Sequence, residues 1–184
     1  MKIACIGLGR MGWHMAAHLS RSNAHEVVVY DVQSETGKKW ATDHEGTVKE
    51  SVASATKDSD FIVTSLPADR ELLAVAEEVI PSIAKNGVWI DHSTTAAQAA
   101  RDIGTRLNAV GAYFLDAPVS GGVVGAENGT ISVMAGGDSE AFSRAEPIID
   151  LYSGQVRLMG ELGAGQRTKM PSQRCVVGLC QALA

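Results

Sequence analysis

Short apolar runs alternate with helical patterns along most of the chain. The runs are rich in β-branched residues and several are apolar throughout, which is typical of strands covered by helices on both faces. Seven strands are predicted, at Lys2–Ile6, Glu26–Tyr30, Phe61–Ser65, Val88–Asp91, Tyr113–Asp116, Ile131–Met134 and Val156–Met159. Amphipathic helices are predicted between them, including Met11–Arg21, Arg70–Val79, Thr95–Asn108 and Glu140–Leu151. The alternation predicts an α/β fold with a doubly wound, mostly parallel sheet.

The C-terminal segment departs from this pattern. Residues Arg174–Ala184 are apolar on most sides, whereas a helix facing solvent has a single apolar face. We therefore expect this segment to cover another surface, which favours a homo-oligomer formed through a C-terminal helix. Two alternatives are contact with chain that this sequence does not contain and folding back onto the sheet.

Composition excludes several classes of partner. The chain has 184 residues and a formal net charge of −5, so it offers no basic surface to nucleic acid. No apolar stretch is long enough to span a bilayer, and the apolar run at the N-terminus is too short for a signal peptide. We expect a cytoplasmic protein that binds neither membrane nor nucleic acid.

A glycine-rich turn follows the first predicted strand and opens the first predicted helix. It has the pattern GxGxxG and consists of Gly7, Leu8, Gly9, Arg10, Met11 and Gly12. Such a turn lets the backbone approach a pyrophosphate, which binds the free N–H groups at the start of the helix. Because strand, turn, helix and second strand follow in order, the pattern predicts a Rossmann-type dinucleotide site.

The residue after the second strand indicates which dinucleotide binds. Asp31 lies 19 residues after Gly12, where a carboxylate accepts hydrogen bonds from the adenosine ribose hydroxyls and repels a 2′-phosphate. Val32 and Gln33 follow, and neither is a cation. The sequence therefore predicts NAD as cofactor and disfavours NADP.

One histidine pair raises the question of a metal. His14 and His18 are four residues apart on the first predicted helix, a spacing that can bind zinc. Met15 stands where a zinc peptidase has its glutamate, and the sequence suggests no third ligand. We interpret both histidines as solvent-exposed and predict no metal site.

Further motifs follow in a characteristic order. They are Ser65-Leu66-Pro67, Asp91-His92-Ser93-Thr94, the segment DAPVSGG at 116–122, GAENGT at 125–130, and GAGQ at 163–166 with Lys169. With the glycine-rich turn, this series resembles the β-hydroxyacid dehydrogenases, the family that includes 3-hydroxyisobutyrate dehydrogenase and tartronate semialdehyde reductase. The resemblance extends over essentially all 184 residues.

The resemblance implies roles for particular residues. Ser120, Gly121 and Gly122 would hold the substrate carboxylate through a hydroxyl and backbone N–H groups. Lys169 would be the general acid or base, because burial lowers the pKa of a lysine from its usual value of about 10.4. By the same resemblance, Leu66 and Pro67 line the cofactor, and Thr94 lies beside the nicotinamide ribose.

The resemblance also exposes departures from the family. Ser172 occupies the position of the usual substrate-binding asparagine, where it retains a hydrogen-bonding group with shorter reach. Pro171 is tolerated only if its helix begins just before Lys169; a helix that begins at Gly165 would be kinked. We assign residues 1–162 to the NAD-binding domain and 163–184 to the start of an interdomain helix, with the family's C-terminal helical domain absent.

These inferences lead to one hypothesis and its alternatives. We expect an NAD-dependent oxidoreductase that interconverts a small 3-hydroxy acid and its semialdehyde. The alternative is a non-catalytic NAD-binding module or a truncated product that lacks its substrate-closing domain. An imine reductase of the same superfamily is disfavoured, because those relatives usually replace the lysine.

Overall fold

The computed structural model describes residues 1–22 and 24–171. Its strands are β1 (Lys2–Ile6), β2 (Glu26–Tyr30), β3 (Thr47–Val48), β4 (Phe61–Thr64), β5 (Val88–Asp91), β6 (Tyr113–Asp116), β7 (Val119–Ser120), β8 (Ile131–Gly137) and β9 (Ser153–Leu158). Its helices are α1 (Gly12–Ser20), α2 (Ser34–Asp43), α3 (Val52–Thr56), α4 (Asp69–Val79), α5 (Ala97–Ala109), α6 (Gly122–Glu127) and α7 (Ser139–Ile149), followed by α8, which begins at residue 164.

The strands form one twisted sheet whose order reverses at its centre. The order is β3-β2-β1-β4-β5-β6-β8-β7, with β9 beside β8. Strands β1 to β6 are parallel, and β8 is antiparallel to both β6 and β7. The predicted Rossmann-type, mostly parallel α/β sheet is confirmed. Since β2 and β4 lie on opposite sides of β1, a crevice opens at the carboxyl ends of β1 and β4, where such sheets bind their ligands.

Alternate residues of the strands face two separate apolar cores. Along β1, Ile3 and Cys5 face the core that α1 and α7 cover, and Ala4 and Ile6 face the core that α3, α4 and α5 cover. Strands β4 and β5 are buried along their whole length. This burial on both faces explains why these strands are continuous apolar runs in the sequence.

Differences from the predicted elements lie where the sequence pattern is weak or glycine-rich. Helix α2 buries only Gly37 and Trp40, and α3, α6, β3 and β7 are too short to have a recognisable period. Strand β8 continues beyond the predicted end at Met134 to Gly137. The extension contains Gly136, where a Cβ would approach the carboxylate of Asp116, so two glycines weaken the strand pattern but are needed for packing.

A buried carboxylate holds the start of α8. Asp116, at the end of β6, accepts hydrogen bonds from the backbone N–H groups of Gly163 at 2.7 Å and Gln166 at 2.8 Å. Because α8 begins at residue 164, Pro171 does not lie in the first turn of its helix, the alternative in which a proline is tolerated. Pro171 is instead the eighth residue of α8, and it has no N–H to donate to the carbonyl of Arg167.

Two of the sequence predictions concern residues that the structure does not describe. Ser172 and the segment Arg174–Ala184, on which the oligomer hypothesis rests, lie outside the described residues. Among the helices that are described, none has the length and apolar character needed to cross a membrane.

The interpretation of His14 and His18 as solvent-exposed side chains is wrong, because both are half-buried. His18 is half-buried, and its Nε2 lies 3.1 Å from the carbonyl oxygen of Ala126 and 3.0 Å from that of Glu127. Because Nε2 faces two carbonyl oxygens, it carries the proton and donates to them. The residue joins α1 to α6, the helix that follows the predicted carboxylate site.

Candidate cofactor and substrate site

The glycine-rich turn forms one wall of a cleft of about 560 Å³ at the carboxyl ends of β1, β2 and β4. Seven of the residues predicted to bind the cofactor line this cleft: Gly7, Gly9, Arg10, Met11, Asp31, Leu66 and Pro67. The structure therefore brings together motifs that are up to 60 positions apart in the sequence.

The three glycines of the turn meet different demands. Gly7 has a φ of +89°, and its N–H donates to the carbonyl of Tyr30 at 2.9 Å. A Cβ at Gly12 would overlap the carbonyl oxygen of Gly7, so a larger residue would separate α1 from β1. A Cβ at Gly9 would meet no atom within 4 Å. The fold itself does not require glycine at position 9, and the open space beside its backbone fits a pyrophosphate.

Asp31 is held by the turn that it faces. One carboxylate oxygen accepts the N–H of Leu8 at 2.7 Å, and the other accepts the N–H of Gln33 at 2.8 Å. Each oxygen keeps a lone pair that is available to a ribose hydroxyl. Leu8 has a buried side chain, so it reaches this site only through its backbone.

The opposite wall of the cleft belongs to α4 and was not predicted. Glu71, Ala74, Val75 and Glu78 occur at helical spacing and face the cleft. They place an apolar strip, Ala74 and Val75, between two glutamates, and this strip suits a flat base. Two of the four residues are charged, so the sequence alone does not distinguish this face of α4 from a solvent-facing one.

The predicted carboxylate site lies where β7 ends and α6 begins. Val119 and Ser120 form β7, which pairs with β8 through Val133 and Ser132. Gly121 and Gly122 follow with φ values of +125° and +64°, in the region that favours glycine. No atom lies within 4 Å of the Cβ position of Gly122, so backbone conformation rather than crowding requires glycine there.

Lys169 reaches this loop from α8. Its Nζ donates to the carbonyl oxygen of Val119 at 2.7 Å, one residue before Ser120. The side chain is almost buried, and burial lowers the pKa of Lys169 from its ordinary value. The contact thus brings the predicted catalytic lysine next to the predicted carboxylate site across 50 positions of sequence.

Gln166 connects the lysine helix to the predicted nicotinamide loop. Its Nε2 donates to the carbonyl of Ser93 at 2.7 Å, and its Oε1 accepts the N–H of Thr95 at 3.2 Å. These contacts fix the residues on both sides of Thr94, which is exposed at the end of β5. No role was predicted for Gln166; its place in the motif GAGQ was the available signal.

A buried hydrogen-bond chain supports Leu66 and Pro67. The N–H of Leu66 donates to Ser93 Oγ at 2.9 Å, and this hydroxyl donates to Asp91 Oδ1 at 2.6 Å. Asp91 also accepts the hydroxyl of Thr64 at 2.7 Å. Burial raises the pKa of Asp91 to about 6 and that of Asp116, its neighbour on β6, also to about 6.

Comparison with known proteins places this geometry in a family. Residues 2–160 match the family model described as the NAD-binding domain of 6-phosphogluconate dehydrogenase. The 3-hydroxyisobutyrate dehydrogenase of Pseudomonas aeruginosa is 34% identical over 196 residues, a match covering 99% of this chain and 63% of the relative. The chain belongs to the β-hydroxyacid dehydrogenase family.

Two further matches agree with this assignment. An "uncharacterized oxidoreductase" of Shewanella frigidimarina is 38% identical over 186 residues, covering 100% of this chain and 64% of the relative. The solved structure of a 3-hydroxyisobutyrate dehydrogenase from Mycobacterium tuberculosis, determined with L-serine, superposes with a TM-score of 0.91 at 31% identity. That match covers 95% of this chain and 60% of the other. The chain thus spans less than two thirds of the length of each of these relatives.

The family model covers the described site unevenly. The cofactor cleft and the loop at 116–122 lie inside the matched residues 2–160. The domain is therefore an NAD-binding domain. Lys169 lies beyond the matched residues, so its position rests on the contact with Val119 rather than on the family model.

Proposed function

We propose that this chain carries the cofactor-binding part and the acid–base lysine of an NAD-dependent dehydrogenase that interconverts a small 3-hydroxy acid and its semialdehyde. The observation that carries the proposal is the contact between Lys169 Nζ and the Val119 carbonyl, which brings a nearly buried amine to the loop of Ser120, Gly121 and Gly122. A protein that only binds NAD has no need for a buried lysine at that point.

The residues of the loop suit a carboxylate. The Ser120 hydroxyl can donate one hydrogen bond, and the successive N–H groups of Gly121 and Gly122 can form an anion-binding concavity. The solved structure of the M. tuberculosis relative was determined with L-serine, which is itself a 3-hydroxy acid. This likeness supports a substrate whose hydroxyl lies two carbons from the carboxylate.

Lys169 handles the proton of the reaction. When bound, NAD⁺ supplies the acceptor for the hydride that leaves the alcohol carbon. In oxidation, the neutral amine of Lys169 takes the hydroxyl proton as the C–H electron pair departs, which leaves the aldehyde. In reduction, the ammonium form returns that proton to the oxygen and stabilises the negative charge that develops there.

A substrate comparison tests the proposed reaction. We expect NADH to form with 3-hydroxyisobutyrate or glycerate, and kcat/KM for the methyl ester of the same acid to fall by at least about a hundredfold, because the ester cannot pair with the loop. Steady-state rates of NADH formation with acid and ester measure this difference. Equal rates would contradict the carboxylate role of Ser120, Gly121 and Gly122. Tight NADH binding with no turnover of any acid would favour the non-catalytic NAD-binding module.

We further propose that Asp31 makes this NAD-binding domain select NAD over NADP. Replacing Asp31 with Asn keeps an acceptor but removes the charge that opposes a 2′-phosphate. We expect the ratio of the NADPH Kd to the NADH Kd to fall by about tenfold or more in this variant, as measured by fluorescence titration. Asp43→Asn is a matched control, since Asp43 lies at the end of α2 outside the cleft. Tighter binding of NADPH than NADH to the unaltered protein would contradict the role of Asp31.

The cellular setting of this activity is also a proposal. The acidic net charge and the absence of a basic surface patch in the sequence favour a small-molecule partner in the cytoplasm. Homo-oligomer formation through residues 174–184 rests on the apolar sequence of that segment, and a measurement of molecular mass before and after its deletion tests it.

A further inference from the structure

Beneath the substrate loop, residues 116–122, two buried polar side chains meet. His92 follows β5, and Tyr152 precedes β9; their exposed fractions are 3% and 0%. His92 Nε2 lies 2.8 Å from the Tyr152 hydroxyl, and its Nδ1 lies 2.6 Å from the carbonyl oxygen of Ala117. The two rings pack edge to face with centroids 5.4 Å apart. Neither residue has a part in the chemistry described above.

The chemistry of the partners fixes where the protons lie. A carbonyl oxygen can only accept, so His92 Nδ1 carries the proton and donates to Ala117. The remaining nitrogen, Nε2, then accepts from the Tyr152 hydroxyl. Burial lowers the pKa of His92 to about 4 and raises the pKa of Tyr152 well above its ordinary value, so both groups are neutral near pH 7. The pair therefore forms a directed chain from Tyr152 through His92 to Ala117.

Three separate elements hold three consecutive carbonyl groups of the substrate loop. The carbonyl of Ala117 accepts from His92, that of Pro118 from the N–H of Met134 at 3.1 Å, and that of Val119 from Lys169 at 2.7 Å. The first contact sets the plane of the peptide that leads to Pro118. It thereby directs the chain toward Ser120 and the two glycines. Two polar groups in an apolar core cost free energy unless they are paired, and here the pairing ends on the loop.

We infer that His92, oriented by Tyr152, is a positioning residue that holds the substrate loop in the shape that binds a carboxylate. This inference rests on the proposed function for the identity of the substrate. The effect of His92 on the conformation of the loop does not depend on that substrate. His92 is buried and acts through the Ala117 carbonyl.

Removing the tyrosine hydroxyl is the first test. Tyr152→Phe keeps the ring in the core but leaves His92 Nε2 without its donor, so the imidazole can take the other tautomer and lose its donation to Ala117. We expect KM for the hydroxy acid to rise by about tenfold, the loss of roughly one hydrogen bond, with the NADH Kd changed by less than about twofold. Tyr113→Phe is the matched control, because Tyr113 is half-buried at the start of β6 and makes no side-chain hydrogen bond to the described residues.

Two substitutions of His92 separate positioning from packing. Asn at position 92 keeps a donor near the position of Nδ1, whereas Leu fills space but cannot donate. We expect His92→Asn to retain most of the affinity for the acid and His92→Leu to lose it, although both remove the imidazole ring. Similar KM values for the two variants would indicate a packing role and overturn the inference.

NMR spectroscopy decides the question independently of turnover. In the NADH complex, we expect the amide signals of Ser120, Gly121 and Gly122 to shift in Tyr152→Phe and not in Tyr113→Phe, and the imidazole ¹⁵N signals of His92 to report a protonated Nδ1 in the unaltered protein. Unmoved loop amides would overturn the inference even if the enzyme is active. If no hydroxy acid is turned over but the loop amides shift, the proposed function fails and the positioning role stands.

Discussion

Replacing Lys169 with Met should lower kcat for the hydroxy acid by about a thousandfold and leave the NADH Kd within about twofold. Methionine keeps the length of the side chain but offers neither a proton nor a charge, and a positioned acid or base contributes typically about 10² to 10⁴ in rate. Lys169 does not line the cofactor cleft, so the affinity of the protein for NADH should be preserved. Steady-state kinetics and fluorescence titration measure the two quantities separately.

The role of Lys169 also predicts opposite pH dependences of kcat/KM for oxidation and reduction. Burial lowers the pKa of Lys169, so the neutral amine forms at lower pH than for an exposed lysine. Oxidation needs the neutral amine, so kcat/KM for the hydroxy acid should fall as pH decreases through that pKa. Reduction needs the ammonium form, so kcat/KM for the semialdehyde should fall as pH rises through it. Lys169→Met should remove this limb from both profiles.

An exposed lysine provides the control for this experiment. Lys85, in the turn before β5, is exposed and distant from the cleft, so Lys85→Met should keep both kcat and the pH profile. If Lys169→Met retained the rate and the pH limb of the unaltered protein, Lys169 would not be the acid or base. The contact with Val119 would then serve only to hold the loop.

The sequence was sufficient for the central strands and for the position of the cofactor cleft. Strands β1, β2, β5 and β6 begin and end where predicted, because burial on both faces produces apolar runs that end abruptly at polar residues. Helix α2 could not be recognised in the same way, since most of its surface faces solvent. Its existence depends on Trp40 packing against the sheet, and that contact is long-range.

The candidate site likewise combines features that local sequence indicates with features that depend on long-range contacts. The glycine-rich turn, Asp31 and the loop at 116–122 are local patterns whose chemistry depends on neighbours in sequence. The contacts of Gln166 and of the His92–Tyr152 pair join positions 60 to 73 residues apart. Gln166 and His92 stand in recognisable motifs, but no local pattern indicates their partners. A buried polar side chain shows its role only when its partner is known, and the fold supplies that partner.

Substitutions at the second and third glycines of the cofactor turn, Gly9 and Gly12, should separate cofactor binding from folding. We expect Gly9→Ala to change the free energy of unfolding by less than about 1 kcal/mol, because its Cβ enters empty space and its φ is not in the left-handed region. The same methyl group occupies the space proposed for the pyrophosphate. Losing one or two charge-assisted hydrogen bonds should raise the NADH Kd by about tenfold to a hundredfold.

Gly12→Ala should instead destabilise the fold itself. Its Cβ would overlap the carbonyl oxygen of Gly7, which is backbone and cannot rotate away, so α1 must move from β1. Alanine gains about 1 kcal/mol of helix propensity over glycine, but overpacking against backbone costs about 3 kcal/mol, so we expect a net loss of about 2 kcal/mol. The NADH Kd should rise as well, because the displaced helix carries the N–H groups that face the pyrophosphate.

Urea unfolding and NADH titration of both variants measure the contrast. The interpretation requires that only Gly12→Ala lowers the unfolding midpoint, while both variants bind NADH weakly. If Gly9→Ala bound NADH as tightly as the unaltered protein, the pyrophosphate would not pass over Gly9, and the cofactor would have to enter the cleft along the α4 wall of Glu71, Val75 and Glu78. If Gly12→Ala were as stable as Gly9→Ala, the close approach of α1 to β1 would not be a requirement of the fold.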